Sequence, residues 1–361
     1  MGVDPDPPRR GRRRAGGVAS SRGAASGDDP DGRTGAQAVQ DRYGPPETLS
    51  LADVERPSPA AGQLLVRVRA ASVNAADWHV MRGEPKIARL MDRRIFGRTG
   101  PRERIRGRDF AGTIDAVGPD VTGWRVGDTV LGEDEATLAE YAAVPQGCLA
   151  RKPEALSFEE AAALPLAAVT ADLCLTRGRA EAGDRVLIIG ASGGVGTFAV
   201  QLAVLRRAAV TAVCSTRNVD LVTSLGATEV VDYTREDFTS TARSYDVVLD
   251  LVGTRSLRDL RRVLAPGGRL VLSGGGNPGH GRYLGPIGLM ARGGLFGRLV
   301  GVRVHIPRAT PNAERLTDLA DMAARGDIRP VLDRTYPLAD AAAAMRHLEV
   351  DHARGKIVVT T

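Results

Sequence analysis

The chain has 361 residues, room for two domains of ~100–200 residues each or one large α/β unit, which excludes a minimal binding motif. Its 49 basic and 43 acidic residues give a net charge of +6, and with Lys86, Lys152 and Lys356 the only lysines, the other positive charges are arginines scattered by coding bias, not one basic patch. Cys148, Cys174 and Cys214 lie far apart without a Cys-x-x-Cys pair, and no apolar run reaches the ~18 residues of a membrane helix, so a disulfide framework, a four-thiolate zinc lobe and a membrane partner are excluded and a cytoplasmic location is expected.

Residues 1–35 are almost entirely Gly, Pro, Arg, Ser, Ala and Asp and cannot bury enough apolar surface to offset the entropy of ordering, so they are read as a disordered extension whose removal leaves catalysis intact. From Gln37 to about Lys152 the pattern is one of short strands. Leu64 to Ala70 alternates, Ala111 to Gly118 ends in a Gly-Pro turn, and Gly127-Asp128-Thr129-Val130 follows, giving a Gly-punctuated, β-barrel-like unit. Within it, Lys86 to Arg108 carries nine basic and two acidic residues, an excess of +7. That loop admits a second class of function, a protein that associates with nucleic acid, although Phe96 is its only aromatic for base stacking and nucleic acid is not the expected partner.

Ser157-Phe158-Glu159-Glu160 has the form of a helix start with a glutamate at its third position, and a βα alternation begins after it. Apolar runs at Arg185 to Gly190, Val210 to Ser215, Val230 to Tyr233, Val247 to Val252 and Arg269 to Ser273 are spaced as a parallel, doubly wound sheet requires. A glycine-rich apolar stretch runs from Gly274 to Gly301, with Leu284, Ile287, Leu289, Met290, Leu295 and Phe296 available for a pocket or a subunit surface. Then come a strand at Leu299 to Ile306, a helix from about Asn312 to Arg325 and a closing strand at Lys356 to Val359 that returns to the first unit.

The segment Arg185 to Gly196 is a buried strand followed by a glycine turn and a helix. Gly190, Gly193 and Gly196 allow a tight turn, close approach of a pyrophosphate and close packing of helix on sheet, and the strand before and helix after make this a dinucleotide site. At the end of the next strand stands Cys214-Ser215-Thr216-Arg217, with no carboxylate to repel a 2′-phosphate, two hydroxyls and one guanidinium; NADPH is expected over NADH.

These residues carry a resemblance. The chain resembles the medium-chain dehydrogenase/reductase superfamily, in its zinc-free quinone oxidoreductase-like branch, across about residues 36–361, through Ser72 to Asp77, Gly107 to Gly112, Gly118, Gly127-Asp128, Ala139-Glu140-Tyr141, Ala162 to Pro165, Thr170-Ala171, Gly190 to Gly196, Leu225-Gly226-Ala227, Asp232-Tyr233 and Gly355 to Val358. The resemblance implies an α/β fold: a GroES-like, β-barrel-type catalytic domain (36–156 and 310–361) and a doubly wound parallel Rossmann domain for NADPH (157–309). It further implies that Asn74, Asp77 and Thr170 approach the nicotinamide, with Asn74 and Asp77 as catalytic candidates, and that Ser192, Gly193, Gly194, Val195 and Gly196 hold the pyrophosphate. By the same resemblance Ser215, Arg217 and Tyr233, with Thr216 between them, are expected around the adenosine phosphate, Val252, Gly253, Ser273, Gly274 and Gly275 along the ribose and nicotinamide, and Lys356 in the cofactor set.

The Gly-His-Glu motif of the zinc-dependent alcohol dehydrogenases of this superfamily is Gly107-Arg108-Asp109 here, their first cysteine ligand is Asn74, and their third ligand falls in the apolar run Leu164 to Ala168, so no metal is expected. An aromatic residue that commonly follows the asparagine in the quinone-reductase branch is replaced by Ala75, with Trp78 and His79 nearby. Without a metal to polarise an alcohol, hydride transfer from NADPH to a quinone or an α,β-unsaturated carbonyl is the expected chemistry. The alternatives are an NAD(P)-dependent alcohol dehydrogenase or aldehyde reductase, and an NADPH-binding protein whose role is association. On family grounds a homodimer is expected, formed beside the Leu299 to Ile306 strand.

Overall fold

The computed structural model describes residues 1–2, 34–93, 95–240, 242–274, 288, 293, 302–351 and 353–361. Most of the 1–35 extension, Gly275 and the six apolar residues named between Gly274 and Gly301 lie outside them. The first strand begins at Thr34, inside the segment read as a tail.

The first lobe holds β1 (Thr34–Val39), β2 (Ser50–Glu55), β3 (Gln63–Val73), α1 (Ala75–Arg82), α2 (Ala88–Met91), β4 (Asp109–Val117), β5 (Thr129–Glu133), β6 (Tyr141–Pro145) and β7 (Leu149–Arg151). Strands β1 and β2 form a hairpin, and β3 sits at the centre of a larger sheet, antiparallel to β4 and β6. Alternation along β3 is confined to its middle, because both ends are covered and every residue from Ala70 to Val73 is buried. A core of Leu64, Val66, Phe110, Ile114, Leu138 and Met345 fills this lobe, each fully buried apolar side chain contributing ~1.5–3 kcal/mol.

The second lobe starts as the Ser157 pattern demands. Ser157 N–H donates to Glu160 Oε2 (2.9 Å) and Glu160 N–H to Ser157 Oγ (3.1 Å), a capping box opening α3 (Phe158–Ala162), before α4 (Pro165–Arg177). Then come β8 (Arg185–Ile189), α5 (Gly194–Leu205), β9 (Ala209–Cys214), α6 (Val219–Ser224), β10 (Glu229–Asp232), β11 (Tyr245–Asp250), α7 (Leu257–Arg262), β12 (Leu264–Leu272) and β13 (Arg303–His305). All six strands are parallel, in the order β10-β9-β8-β11-β12-β13, so the chain reverses direction across the sheet between β8 and β11, where doubly wound folds bind their ligands. Both faces are covered: Val186 and Ile188 point into one apolar cluster with Cys174 and Phe198, Leu187 and Ile189 into another with Phe238 and Leu260. The first cluster continues through Ala70, Ala111 and Leu131 into the barrel-like lobe, which joins the two.

Helix α8 (Ala313–Ala324) is capped by Asn312, whose Oδ1 accepts the Arg315 N–H at 2.8 Å, and buries Leu316, Leu319, Ala320 and Ala323 at helical spacing. The chain then returns to the first sheet through β14 (Leu332–Pro337), α9 (Ala341–Val350) and β15 (Lys356–Thr360), with Ile357 opposite Val73. Among the described residues no helix is long and apolar enough to cross a membrane.

Candidate active site

The glycine loop follows β8 directly. Gly190 has φ +86°, open to glycine and strained for other residues, and a Cβ on Gly196 would lie 2.1 Å from the Gly190 carbonyl oxygen, so helix and turn touch through bare backbone. Gly193, the N-cap, offers no side chain, which leaves the first amides of the twelve-residue α5 for an anionic ligand. Ser192 is tied to both flanks: its Oγ accepts from Asn218 Nδ2 (2.9 Å) and its carbonyl from Gly355 N–H (2.9 Å). Val252 and Gly253 are turned by Asp250, whose Oδ1 accepts both amides (3.0 and 2.8 Å), and a Cβ on Gly274 would come 2.6 Å from the Gly253 nitrogen. The loops that follow β11 and β12 are thereby pressed together, with Ser273 N–H on the Asp250 carbonyl.

The densest polar cluster lies where the lobes meet. Register sets Ser72, near the end of β3, opposite Asp109, the first residue of β4, and Asp109 is completely buried. Its Oδ2 accepts from Ser72 Oγ (2.8 Å), Asn74 Nδ2 (2.9 Å) and Lys356 Nζ (3.1 Å), and its Oδ1 from the Leu166 amide at the start of α4 (3.0 Å). Lys356 also donates to Asn74 Oδ1, so the amide of Asn74 is held at both ends. The lysine stem runs along the glycine loop: a Cβ on Gly194 would lie 3.0 Å from Lys356 Cδ. Lys356 therefore spans from the glycine loop to Asn74, and of its three N–H donors two serve Asn74 and Asp109. Thr170 is buried on α4, the helix whose first turn binds Asp109.

Asp77 is one turn into α1, where its Oδ2 accepts the Asn74 N–H (2.9 Å) and fixes the helix start. Burial pushes its carboxyl up to about 6, against the pull of the Arg108 guanidinium. Arg108 pairs with Glu133 (3.0 Å), whose own carboxyl burial raises. Asp77, Arg106 and Arg108 line a narrow open cleft of about 20 Å³ with Val80, Ile95 and Ile105. Part of the excess charge of this loop is buried or engaged: Arg106 is 5% exposed, Arg104 pairs with Asp41 at the surface, and Arg89 lies 4.0 Å over the Tyr43 ring. Trp78 packs into the barrel core and does not face the cleft.

At the far end of the cleft one premise is corrected. Ser215 to Arg217 do follow β9, but the neighbouring strand supplies the carboxylate that the sequence there lacks: parallel register sets Asp232 beside Cys214, and Thr216 Oγ1 donates to Asp232 Oδ2 at 2.5 Å. Arg217 is exposed and its Nη2 donates to the Asp351 carbonyl (2.5 Å), and Tyr233 is half-exposed. Ser215 Oγ accepts from Asn218 Nδ2 at 3.3 Å. The sequence places Lys356 and Asn74 in the site but not Ser72 or Asp109; both lie in motifs that carry the resemblance, Ser72 to Asp77 and Gly107 to Gly112, without a site role being read from them.

A doubly wound sheet with a glycine-rich first turn, joined to a barrel-like lobe that closes over its switch point, defines a two-lobed dinucleotide-dependent oxidoreductase. Residues 60–154 match the alcohol dehydrogenase GroES-like domain, and residues 225–359 match a domain family described as zinc-binding dehydrogenase. The 2-methylene-furan-3-one reductase of Solanum lycopersicum is 32% identical over 332 residues, covering 88% of this chain and 76% of that protein. The chloroplastic NADPH-dependent alkenal/one oxidoreductase of Arabidopsis thaliana is 32% identical over 337 residues, covering 89% and 78%. Among solved structures, the quinone oxidoreductase from Coxiella burnetii superposes with a TM-score of 0.80 at 29% identity, over 91% of this chain and 99% of that one. The chain belongs to the medium-chain dehydrogenase/reductase superfamily and is an oxidoreductase of its quinone oxidoreductase-like branch.

Proposed function

We propose that this chain is a zinc-independent, NADPH-dependent reductase of quinones or α,β-unsaturated carbonyls. The observation that carries the reading is the buried Asn74–Asp109–Lys356 cluster. The resemblance sets the first cysteine ligand of the zinc-dependent enzymes at 74 and the histidine of their Gly-His-Glu motif at 108; here these are an amide already held at both ends and an arginine, beside a carboxylate neutralised by an ammonium. A dication placed among these groups would meet Lys356 and Arg108 as like charges, so the residues do not fit zinc, and no step is routed through a metal.

The residues fit a dinucleotide. Gly193, Gly194, Val195 and Gly196 receive its pyrophosphate, Val252, Gly253, Ser273 and Gly274 line the ribose and nicotinamide, and NADPH bound there supplies the hydride. Asn74, locked by Lys356 and Asp109, holds the wall of the nicotinamide site rigid, and the remaining Lys356 N–H is a donor for a carbonyl or developing enolate oxygen. Asp77, whose carboxyl burial pushes up to about 6, lines the narrow cleft beside this cluster. Thr170 borders the site from α4.

The relatives' names, furanone, alkenal/one and quinone reductases, share an electron-poor acceptor conjugated to a carbonyl, and that is the substrate class proposed. We also read 36–156 with 310–361 as the catalytic domain and 157–309 as the cofactor domain. β13, an edge of the six-stranded sheet, is the proposed dimer seam, and the cytoplasm is the proposed location. Oxidation of NADPH across a panel of 1,4-quinones, enones and simple aldehydes tests the activity. Turnover of quinones or enones at least tenfold above aldehydes is expected; aldehyde turnover alone would overturn it. Sedimentation as a monomer at micromolar concentration would reject the dimer.

A further inference from the structure

We infer that Asp232 is a specificity-determining residue at the adenosine end of the cleft, a carboxylate that opposes a 2′-phosphate and accepts free ribose hydroxyls, so that the chain takes NADH as well as NADPH. The inference rests on the dinucleotide reading above and goes beyond it.

In doubly wound folds the ribose of the adenosine half lies at the end of the second strand, where an acidic residue selects the unphosphorylated cofactor and a cation the phosphorylated one. Here both are present. Asp232 ends β10 beside Cys214, the last residue of β9, and the Tyr233 amide donates to the Cys214 carbonyl (3.0 Å), fixing the two strand ends together. The carboxylate is held in place on both oxygens: Oδ2 by Thr216 Oγ1, Oδ1 by the Thr234 amide (3.0 Å) and hydroxyl (2.7 Å). These hydrogen bonds, Thr216 first, hold its carboxyl below the usual range, so it is a fixed negative charge at neutral pH. Thr216 is one residue from Ser215 and Arg217, and Ser215 is linked through Asn218 to Ser192 of the glycine loop. The carboxylate therefore belongs to the same patch as the residues assigned to the phosphate.

The opposing cations have partners of their own. Arg217 Nη2 engages the Asp351 carbonyl, and Arg235 approaches Asp232 itself at 3.5 Å. A 2′-phosphate entering here has to draw Arg217 from Asp351 and face Asp232, whereas a free hydroxyl can use the one acceptor site on Oδ2 that Thr216 leaves. The patch is a balance of the two charges and not a phosphate pocket.

The test is equilibrium binding of adenosine 2′,5′-bisphosphate and 5′-AMP to the full chain by calorimetry, which needs no turnover and no acceptor. The wild type is expected to bind the bisphosphate no more than about tenfold more tightly. Asp232→Asn should raise that ratio about fivefold, the order expected for removing one partly screened like charge, and Asp232→Glu, which keeps the charge, should not raise it. A ratio unchanged in Asp232→Asn, with the variant's melting temperature intact, would overturn the inference while leaving the dinucleotide reading standing. Binding of neither nucleotide by the wild type would overturn both.

Discussion

The two ends of the cofactor cleft are built on opposite principles. At one end Asn74, Asp109 and Lys356 are buried, and the oxygens of Asp109 and Asn74 are all hydrogen-bonded; at the other Thr216 and Arg217 are exposed and Asp232 is half-buried among groups that water also reaches. Charges in the first place interact in a low dielectric and tolerate no missing partner, while charges in the second are screened. Chemistry is therefore assigned to the closed end, and choice of cofactor to the open one.

The sharpest way to break this contrast is Lys356→Met. It leaves the Asp109 carboxylate buried without its counter-ion, and a loss of about 3–5 kcal/mol in unfolding free energy is expected by denaturant titration, with at least ~100-fold lower kcat in whatever fraction remains folded. A loss below 1 kcal/mol would mean that the cluster is hydrated. Next is Gly196→Ala, whose methyl group would meet the Gly190 carbonyl at 2.1 Å; a cost of ~1–3 kcal/mol and loss of NADPH binding by fluorescence titration are expected.

Asp77 gives a pH signature at the buried end. Its native carboxyl, at about 6, lies above the unfolded value, so the native state binds the proton more tightly; its contribution to stability is present at low pH and lost as pH rises through about 6. Asp77→Asn should remove that dependence, so the stability difference between wild type and variant changes by at most roughly 3 kcal/mol between pH 4 and 7, measured by urea denaturation across pH. The smallest effect is expected at the open end: Arg217→Ala should lower the NADPH-to-NADH ratio of kcat/KM about three- to tenfold, and an unchanged ratio removes Arg217 from the phosphate site.

The fold was legible because parallel strands buried on both faces read as continuous apolar runs, as Val186 to Ile189 and Val247 to Leu249 do, and because glycine, cap and helix signals stand next to one another at Gly190 to Gly196 and at Ser157 to Glu160. The candidate site was legible only in part. Asn74 and Lys356 carry family motifs, but their contact depends on β15 pairing with β3 across most of the chain, and Asp109 enters through the register of β3 against β4. Asp232 escaped for the same reason. Cys214 to Arg217 itself contains no carboxylate, and the parallel register of β10 brings Asp232 beside it. Local pattern identifies elements; which polar groups meet between them is set by register and long-range closure.

The central claim, hydride transfer in a site whose cation is Lys356 and not a metal, is tested most directly by the turnover of one quinone and one enone with NADPH before and after exhaustive dialysis against a strong chelator. The account predicts equal kcat in the two samples and no gain on adding zinc. A loss of activity that zinc restores would contradict it.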